Sequence, residues 1–384
     1  MKSRLAIITS HPIQYNAPLF ALLAQETDIE LKVFYTWGES CLGEKYDPDF
    51  RKVIEWDIPL LDGYAYTFVQ NTAKDLGSHH FKGIINPSLN LEIENWGADA
   101  VWVWGWAFDS HLKAIRHFKS KVPVWFRGDS TLLDEPKGFS LRTIARRIFL
   151  TWVYRHVDKS FYVGTHNKAY FKKHGLNESQ LVYAPHAVDN DRFSDESGEK
   201  TLRAMEWRRE LGYSESDLVI LFAGKFEPRK NPLFLVELMK VIESESIKLL
   251  MVGNGPLENN LKESLSKDKR VSFLDFQNQS KMPILYRIAE YYILPSISET
   301  WGLGINEALA SGTKVIASNS CGGACDLINE SNGIILGTQN ECKEAQNFIL
   351  ENPKVNVSTE RSYLLSSHYS YKEILQSVKS ELKQ

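Results

Sequence analysis

At 384 residues the chain is long enough for two domains, each with its own core. Its 45 Lys and Arg against 48 Asp and Glu give a formal net charge of -3, which argues against a general nucleic-acid binder, although local basic patches remain open. No stretch approaches the roughly 20 apolar residues of a spanning helix, and the N-terminus lacks the charged start, apolar core and cleavage site of a signal peptide, so a cytoplasmic protein is expected.

Short apolar runs alternate with amphipathic segments from end to end. Strands are expected at Leu5–Ile8, Leu31–Tyr35, Tyr66–Val69, Ala100–Val103, Val122–Phe126, Ser160–Val163 and Leu181–Ala184, with helical patterns between them at Pro18–Gln25, Ser110–Phe118 and Leu141–His156. The rhythm resumes at Leu218–Ala223, Lys248–Val252, Val271–Leu274, Tyr291–Leu294 and Lys314–Ala317. Such alternation means parallel sheets covered on both faces. Twelve strands are many for one sheet, so two domains follow. A turn-rich stretch, Pro185–Asp191, and a charged one, Asp195–Lys200, which reads as exposed linker, mark the break. The expected division is 1–195 and 196–366, with a final amphipathic helix in 367–384. Cys41, Cys321, Cys325 and Cys342 form no C-x-x-C pair and read as reduced structural thiols.

In open α/β sheets, ligands sit outside the carboxyl ends of the strands. The first such loop is Ser10-His-Pro-Ile-Gln-Tyr-Asn16, with Asn16 and Pro18 supplying a helix start behind it. After the strand ending at Ala223 come Lys225, Arg229 and Lys230, and Asn231-Pro232 reads as the cap of a helix that buries Leu235, Leu238, Met239 and Ile242. Cations there suit a diphosphate; a solvated charged loop is an equal alternative. Gly253 and Gly255 follow the next strand, but Glu258 stands where a dinucleotide fingerprint needs its third glycine, which disfavours a dehydrogenase and leaves a plain strand-to-helix turn open. Glu299 and Glu307 are separated by Gly302 and Gly304, ahead of a helix ending at Ser311-Gly312. Carboxylates accept from sugar hydroxyls and exposed backbone N–H groups bind phosphate oxygens; acidic helix capping is the alternative.

Gly224-Lys225, Lys230, Gly253-Asn-Gly255-Pro256, Pro295-Ser296, Glu299 with Glu307, Glu307-Ala-Leu-Ala-Ser-Gly312 and Gly322-Gly323, in this order, resemble the donor-binding domain of family-4 glycosyltransferases. The resemblance is specific over residues 215–335 and looser before it. The opening His11-Pro-Ile-Gln-Tyr15 and the stretch Phe126–Ser130 are similar to a bacterial branch of that family. It implies the GT-B fold, two Rossmann-like doubly wound domains facing a cleft, and a retaining transfer by front-face attack in which the departing phosphate takes the acceptor proton. It implies that Lys225, where the family usually has Arg, and Lys230 hold the donor diphosphate, and that Glu299 binds donor-sugar hydroxyls. Gly224, Gly253, Gly255 and the backbone of Trp301-Gly302-Leu303 would line the donor site, and Glu307 would take the ribose. The final helix would cross back onto the first domain. No metal or other cofactor is implied: Asp47-Pro-Asp49 and Asp189-Asn-Asp191 sit in turn-like contexts. The chain departs from the pattern at Trp104, near where a family His falls, at Trp301 for Phe, at Asp275 for Gly and at Asp326 for Glu.

In the first domain, His11, Gln14 and Tyr15 are expected to reach the cleft as side chains, with His11 counted among the catalytic groups; the alternative is a rigid His11-Pro12 turn with Tyr15 packed beneath the next helix. Arg127 and Asp129 are placed to line the same cleft, or pair to order their loop. Residues 137–159 carry six Lys or Arg against one Asp, with Leu141, Ile144, Ala145, Ile148 and Trp152 at helical spacing. That pattern fits a helix lying on an anionic membrane at its inner face, and equally a half-buried helix with a basic outer side. The expected function is transfer of a sugar from a UDP-sugar to a saccharide or lipid-linked saccharide, in a bacterial surface polysaccharide pathway. Two alternatives stand beside it: a GT-B sugar-nucleotide epimerase or hydrolase, and a non-catalytic saccharide- or nucleotide-binding protein.

Overall fold

The computed structural model describes residues 2–42, 45–47, 50–135, 138, 140–352 and 368–383. The expected Lys137, Pro48 and Asp49, and residues 353–366 of the expected second domain, lie outside the described residues. Two compact units emerge: Met1–Gly43, Ile58–Pro185 and Tyr371–Gln384 make the first, and Glu44–Asp57 with His186–Ser370 the second.

The first unit is built on seven strands: β1 (Ser3–Thr9), β2 (Ile29–Tyr35), β5 (Ala65–Phe68), β6 (Ala100–Trp104), β7 (Val124–Arg127), β8 (Lys159–Tyr162) and β9 (Leu181–Tyr183), in the spatial order β5-β2-β1-β6-β7-β8-β9. Every pairing is parallel. The central strands are apolar throughout because both faces are covered: Leu5 to Ile8 and Val101 to Val103 are fully buried. The helix Ala17–Ala24 starts with Asn16 at its cap position and Pro18 in its first turn, but the Asn16 side chain makes no capping bond. The last helix, Tyr371–Leu382, packs on this unit, with Tyr371 Oη donating to Tyr15 O (2.9 Å) and Ser377 Oγ to Tyr183 O (2.6 Å).

The second unit holds a six-stranded parallel sheet of β10 (Leu218–Ala223), β11 (Ile247–Val252), β12 (Val271–Leu274), β13 (Tyr291–Leu294), β14 (Lys314–Ser318) and β15 (Gly333–Leu336), ordered β12-β11-β10-β13-β14-β15. A short antiparallel pair, β3 (Lys45–Asp47) and β4 (Lys52–Ile54), belongs to it by packing although it comes early in the chain.

All twelve expected strands are present, with ends shifted by two residues or fewer. The edge strand β15 and the polar pair β3/β4 were not expected: each is only three or four residues long. Two local expectations are corrected. Asn231 is not a side-chain cap; it adopts a left-handed φ of 52° that ends the 3-10 turn Pro228–Lys230, and the helix begins at Phe234. Its stripe is as expected, with Leu235, Leu238, Met239 and Ile242 all buried. The segment from Asp195 is not plain linker: the Asp195 carboxylate accepts from the N–H groups of Lys200 (3.1 Å) and Thr201 (2.8 Å) and starts the helix Glu199–Glu210.

Candidate functional site

In the second unit four loops at the carboxyl ends of the strands are tied to one another. Ile297 N–H donates to Arg229 O (2.9 Å), joining the loop after β13 to that after β10. Across the same junction the Lys230 ammonium pairs with the Glu299 carboxylate, both side chains less than a fifth exposed. Glu299 is also fixed through its backbone, donating to Ser320 O (3.2 Å) and accepting from Gly322 N–H (2.8 Å). One cation and one carboxylate from separate loops are thus held together, with Lys225 five residues away on the first loop.

Gly253 and Gly255 have a structural reason beyond close approach of a ligand. A Cβ on Gly253 would stand 2.0 Å from Gly224 O, and one on Gly255 2.7 Å from Phe226 O. Their φ values of 137° and 156° carry the backbone against the neighbouring loop, where Phe226 N–H donates to Asn254 O (2.9 Å) and Leu257 N–H to Phe226 O (2.9 Å). The glycines zip the loops after β10 and β11 together and so set the path of the chain past Lys225.

Gly302, at φ 94°, opens the helix Leu303–Ala310, which is closed by Ser311 at its C-cap and by Gly312 in a left-handed turn. Glu307 lies within it, 3% exposed, and its Oε2 accepts from Tyr286 Oη (2.8 Å). The Tyr292 hydroxyl packs where a Gly304 Cβ would be (2.3 Å). Burial first, then the charges of Glu307 and Glu299, push its phenol well above the ordinary range, so it stays neutral beside the two carboxylates. The Trp301 indole is buried, donating to Asn306 Oδ1 (2.8 Å) and closing over Gly323, whose Cβ would sit 2.9 Å from the ring. The indole is thus taken up by the fold, and the backbone is what this residue can present at the loop. Tyr286, Tyr292 and Asn306 were not singled out from the sequence; aromatic residues in apolar runs give no sign that their hydroxyls face carboxylates.

In the first unit, His11 is half-buried, with Nδ1 2.9 Å from Ser10 Oγ and its ring edge-on to Trp37 at 5.2 Å. Gln14 and Tyr15 are also half-buried in the turn before the first helix. Arg127 is 5% exposed: its guanidinium lies over Trp104 at 5.0 Å and donates to Ala184 O (2.8 Å) and Pro185 O (3.0 Å). Burial lowers its pKa to about 10, opposed by nearby Asp129, so it remains charged at neutral pH. Asp129 itself is exposed.

His111 was not singled out. It is fully buried, with Nδ1 2.9 Å from Gly105 O and Nε2 2.8 Å from Thr36 Oγ1, and burial takes its pKa down to about 4. Asp189 caps a short helix by accepting from Arg192 N–H (3.1 Å). Among the described residues one group could hold a metal, the surface trio Asp75, His79 and His80. The four cysteines form no disulfide; burial raises the Cys321 thiol to about 11.

Of the two placements open for the helix Leu141–Tyr154, the structure excludes the one that buries its Leu141, Ile144 and Ile148 stripe. Leu150, Val153 and Tyr154 are buried, whereas Leu141 (87% exposed), Ile144, Ala145 and Ile148 (66%) face outward beside exposed Arg142, Arg146 and Arg147. Among the described residues no helix is long and apolar enough to cross a membrane.

Two Rossmann-like parallel-sheet units, one with lysines and glutamates gathered at its strand ends, are the architecture of GT-B glycosyltransferases. Residues 204–362 match the family of glycosyl transferases group 1, and the chain carries that glycosyltransferase domain. It is 30% identical over 182 residues to the UDP-Gal:alpha-D-GlcNAc-diphosphoundecaprenol alpha-1,3-galactosyltransferase of Escherichia coli, covering 45% of this chain and 44% of that protein. An uncharacterised glycosyltransferase of Methanocaldococcus jannaschii is 33% identical over 135 residues, 34% of each. The chain thus spans less than half the length of these curated relatives. Anabaena HepE, solved in complex with UDP and glucose, superposes with a TM-score of 0.70 over 99% of both chains at 16% identity.

Proposed function

We propose that the protein is a retaining glycosyltransferase of family 4, in the branch that opens with His11-Pro-Ile-Gln-Tyr15, moving a sugar from a UDP-sugar onto a saccharide or lipid-linked saccharide. The observation that carries this reading is the Lys230–Glu299 pair beside Lys225, at the ends of strands of a group 1 glycosyltransferase domain. Glu299 takes hydroxyls of the donor sugar, Glu307 those of the ribose, and Lys225 and Lys230 neutralise the diphosphate, so that no metal is required. As the bond from the anomeric carbon to the diphosphate breaks, the acceptor oxygen bonds to that carbon from the same face and its proton passes to a phosphate oxygen. His11, Gln14, Tyr15 and Asp129 contact the acceptor, and Arg127, two residues before Asp129, ties the end of its strand to the carbonyls of Ala184 and Pro185. A uridine donor and a lipid-linked acceptor are supported by the Escherichia coli relative, a UDP-Gal:alpha-D-GlcNAc-diphosphoundecaprenol galactosyltransferase.

The exposed apolar stripe Leu141, Ile144 and Ile148 with Arg142 and Arg147 supports peripheral docking at an anionic membrane surface in a bacterial surface polysaccharide pathway. A thermal-shift screen against UDP, GDP, ADP and common nucleotide sugars tests the donor assignment, because a ligand of the folded state raises apparent stability. A uridine-specific shift, lost in Glu307→Ala and unaffected by a chelator, is expected. No shift with any nucleotide would favour a non-catalytic binding protein, UDP release without acceptor a hydrolase, and conversion of the sugar nucleotide without UDP release an epimerase.

A further inference from the structure

Residues 50–57 lie between β2 and β5 in the sequence yet pack within the second unit, across the loops that follow β10 and β12. Three ties hold this strap. Lys52 Nζ pairs with Asp275 Oδ2 at 2.9 Å, Asn278 Nδ2 donates to Glu55 O at 2.6 Å, and Ser280 N–H donates to the Asp57 carboxylate at 3.1 Å. Beside these ties, Phe50 and Trp56 set their rings against Phe276, with centroids 5.0 and 6.3 Å away.

Asp275 stands where the family commonly has Gly, and here the departure has a use. Its Oδ2 anchors the strap while its Oδ1 accepts from Asn254 Nδ2 (3.1 Å), the residue between Gly253 and Gly255. Lys52 and Asn254 hold its carboxyl below the usual carboxylate range, so the anchor stays ionised at neutral pH. Asn254 Oδ1 in turn accepts from Phe276 N–H (2.9 Å). The strap is therefore locked to the loop after β12 and, through Asp275 and Asn254, to the loop after β11, which is itself zipped to the loop carrying Lys225 and Lys230.

The consequence falls on Lys225. Its ammonium nitrogen lies 5.0 Å from the centroid of the Phe50 ring. A lysine has four rotatable side-chain bonds and about 2 kcal/mol of rotamer entropy to lose on binding, and a ring face near the ammonium restricts it in advance without neutralising it. We propose that Phe50 is a positioning residue for the donor diphosphate, carried by the strap so that its ring presets the Lys225 ammonium. This rests on the reading of Lys225 as a diphosphate ligand.

Binding of UDP and of uridine, measured by calorimetry on the full-length protein, separates the two claims. Phe50→Leu keeps an apolar side chain but removes the π face, and Phe50→Tyr keeps that face. The expected result is UDP affinity about three- to tenfold weaker in Phe50→Leu and restored in Phe50→Tyr, with uridine affinity unchanged in both. In the background of Lys225→Met the Phe50→Leu loss should vanish, since the ring then has no ammonium to act on. Equal UDP affinity in wild type and Phe50→Leu, or the same loss with and without Lys225, overturns the role of Phe50. Wild-type protein that binds neither UDP nor another nucleoside diphosphate, or a Lys225→Met variant that binds UDP as wild type does, overturns the reading of Lys225 instead.

Discussion

Lys230 and Glu299, 69 positions apart in the sequence, share a contact that locks the loop after β10 to the loop after β13. In this state the ammonium is already partnered, so under the proposed function a donor diphosphate would have to draw it away while the carboxylate turns to the sugar. Exchanging the carboxylate for an amide should split the two roles. Glu299→Gln is expected to bind free UDP at least as tightly as wild type and to lose transfer activity by about 100-fold or more. Lys230→Ala should lose both, with kcat/KM down by about 100- to 1,000-fold, the usual size for removing one group that stabilises developing charge. Calorimetry with UDP beside initial-rate measurements checks this; weaker UDP binding in Glu299→Gln would mean that the pair orders the site and does not compete with the donor.

Gly253 offers a cleaner contrast between fold and ligand. With a Cβ 2.0 Å from Gly224 O, Gly253→Ala must push the two loops apart whether or not a donor is present. The expected loss is about 2–4 kcal/mol of unfolding free energy in the ligand-free protein. Gly224→Ala, whose Cβ would find only Phe222 at 4.0 Å, should stay within about 1 kcal/mol. Urea denaturation of the two variants gives the answer, and wild-type stability in Gly253→Ala would return that glycine to a role in ligand approach alone.

The sequence placed both His11, as a catalytic group, and Arg127, as a lining or loop-ordering one, at the cleft, and expected each to matter more for turnover than for stability; their surroundings separate them. Arg127→Ala strips the donors from Ala184 O and Pro185 O and should cost about 2–4 kcal/mol of stability along with turnover. Arg127→Lys keeps the charge but not the fork and should restore little. His11 has an edge-on ring contact and a Ser10 partner, so His11→Ala should lose about 1 kcal/mol or less while turnover falls at least tenfold. Thermal melts beside rate measurements test both; wild-type turnover in His11→Ala would leave it a packing residue.

The same pair marks how far the sequence could be read. Parallel strands buried on both faces must be apolar along their length, so runs such as Ile7-Ile8 or Leu249-Leu250-Met251 declared themselves, and the loops after them followed. Lys225, Lys230, Glu299 and Glu307 stood out only through the family resemblance of their spacing, because on chemistry alone a solvated loop or acidic helix capping fitted them as well. What was not legible depends on tertiary partners: that Gly253 faces Gly224 O, that Arg127 serves carbonyls 57 and 58 residues on, or that Phe50 reaches Lys225 from a segment belonging by sequence to the other half. No local pattern encodes those distances. For the amphipathic helix from Leu141 the apolar stripe was visible but its direction was not: a membrane-surface and a half-buried placement fitted equally, and the side that packs is chosen by Leu150, Val153 and Tyr154 in its last turns.

That outward stripe should govern membrane contact. Vesicles containing about a third anionic lipid are expected to sediment wild-type protein, and vesicles of neutral lipid alone to leave it in solution. Ile148→Asp should abolish the binding, and Arg142→Glu with Arg147→Glu should reduce it and remove its salt sensitivity. Because these positions are exposed, the variants should melt within about 0.5 kcal/mol of wild type. Binding that shows no preference for anionic lipid would count against the basic face having any part in it.

His111 makes the stability of the first unit depend on acid. A carbonyl can only accept, so the proton on the neutral ring sits at Nδ1 facing Gly105 O, and Nε2 faces the Thr36 hydroxyl. Burial lowers its pKa from 6.5 to about 4, so between those values the unfolded chain holds a proton that the folded protein does not. Unfolding free energy therefore rises with pH across this window. The stability conferred by the neutral ring is complete above about pH 6.5 and is lost as the pH falls towards 4, by about 3 kcal/mol in all. His174, also lowered by burial although Glu135 opposes it, adds to the same slope. His111→Gln can place an amide N–H towards Gly105 and an oxygen towards Thr36 without titrating, so its stability curve should be flatter between pH 4 and 6.5 by the share His111 supplies. Urea denaturation of wild type and His111→Gln at half-unit steps across that range measures the difference, and parallel curves would place the acid sensitivity on other groups.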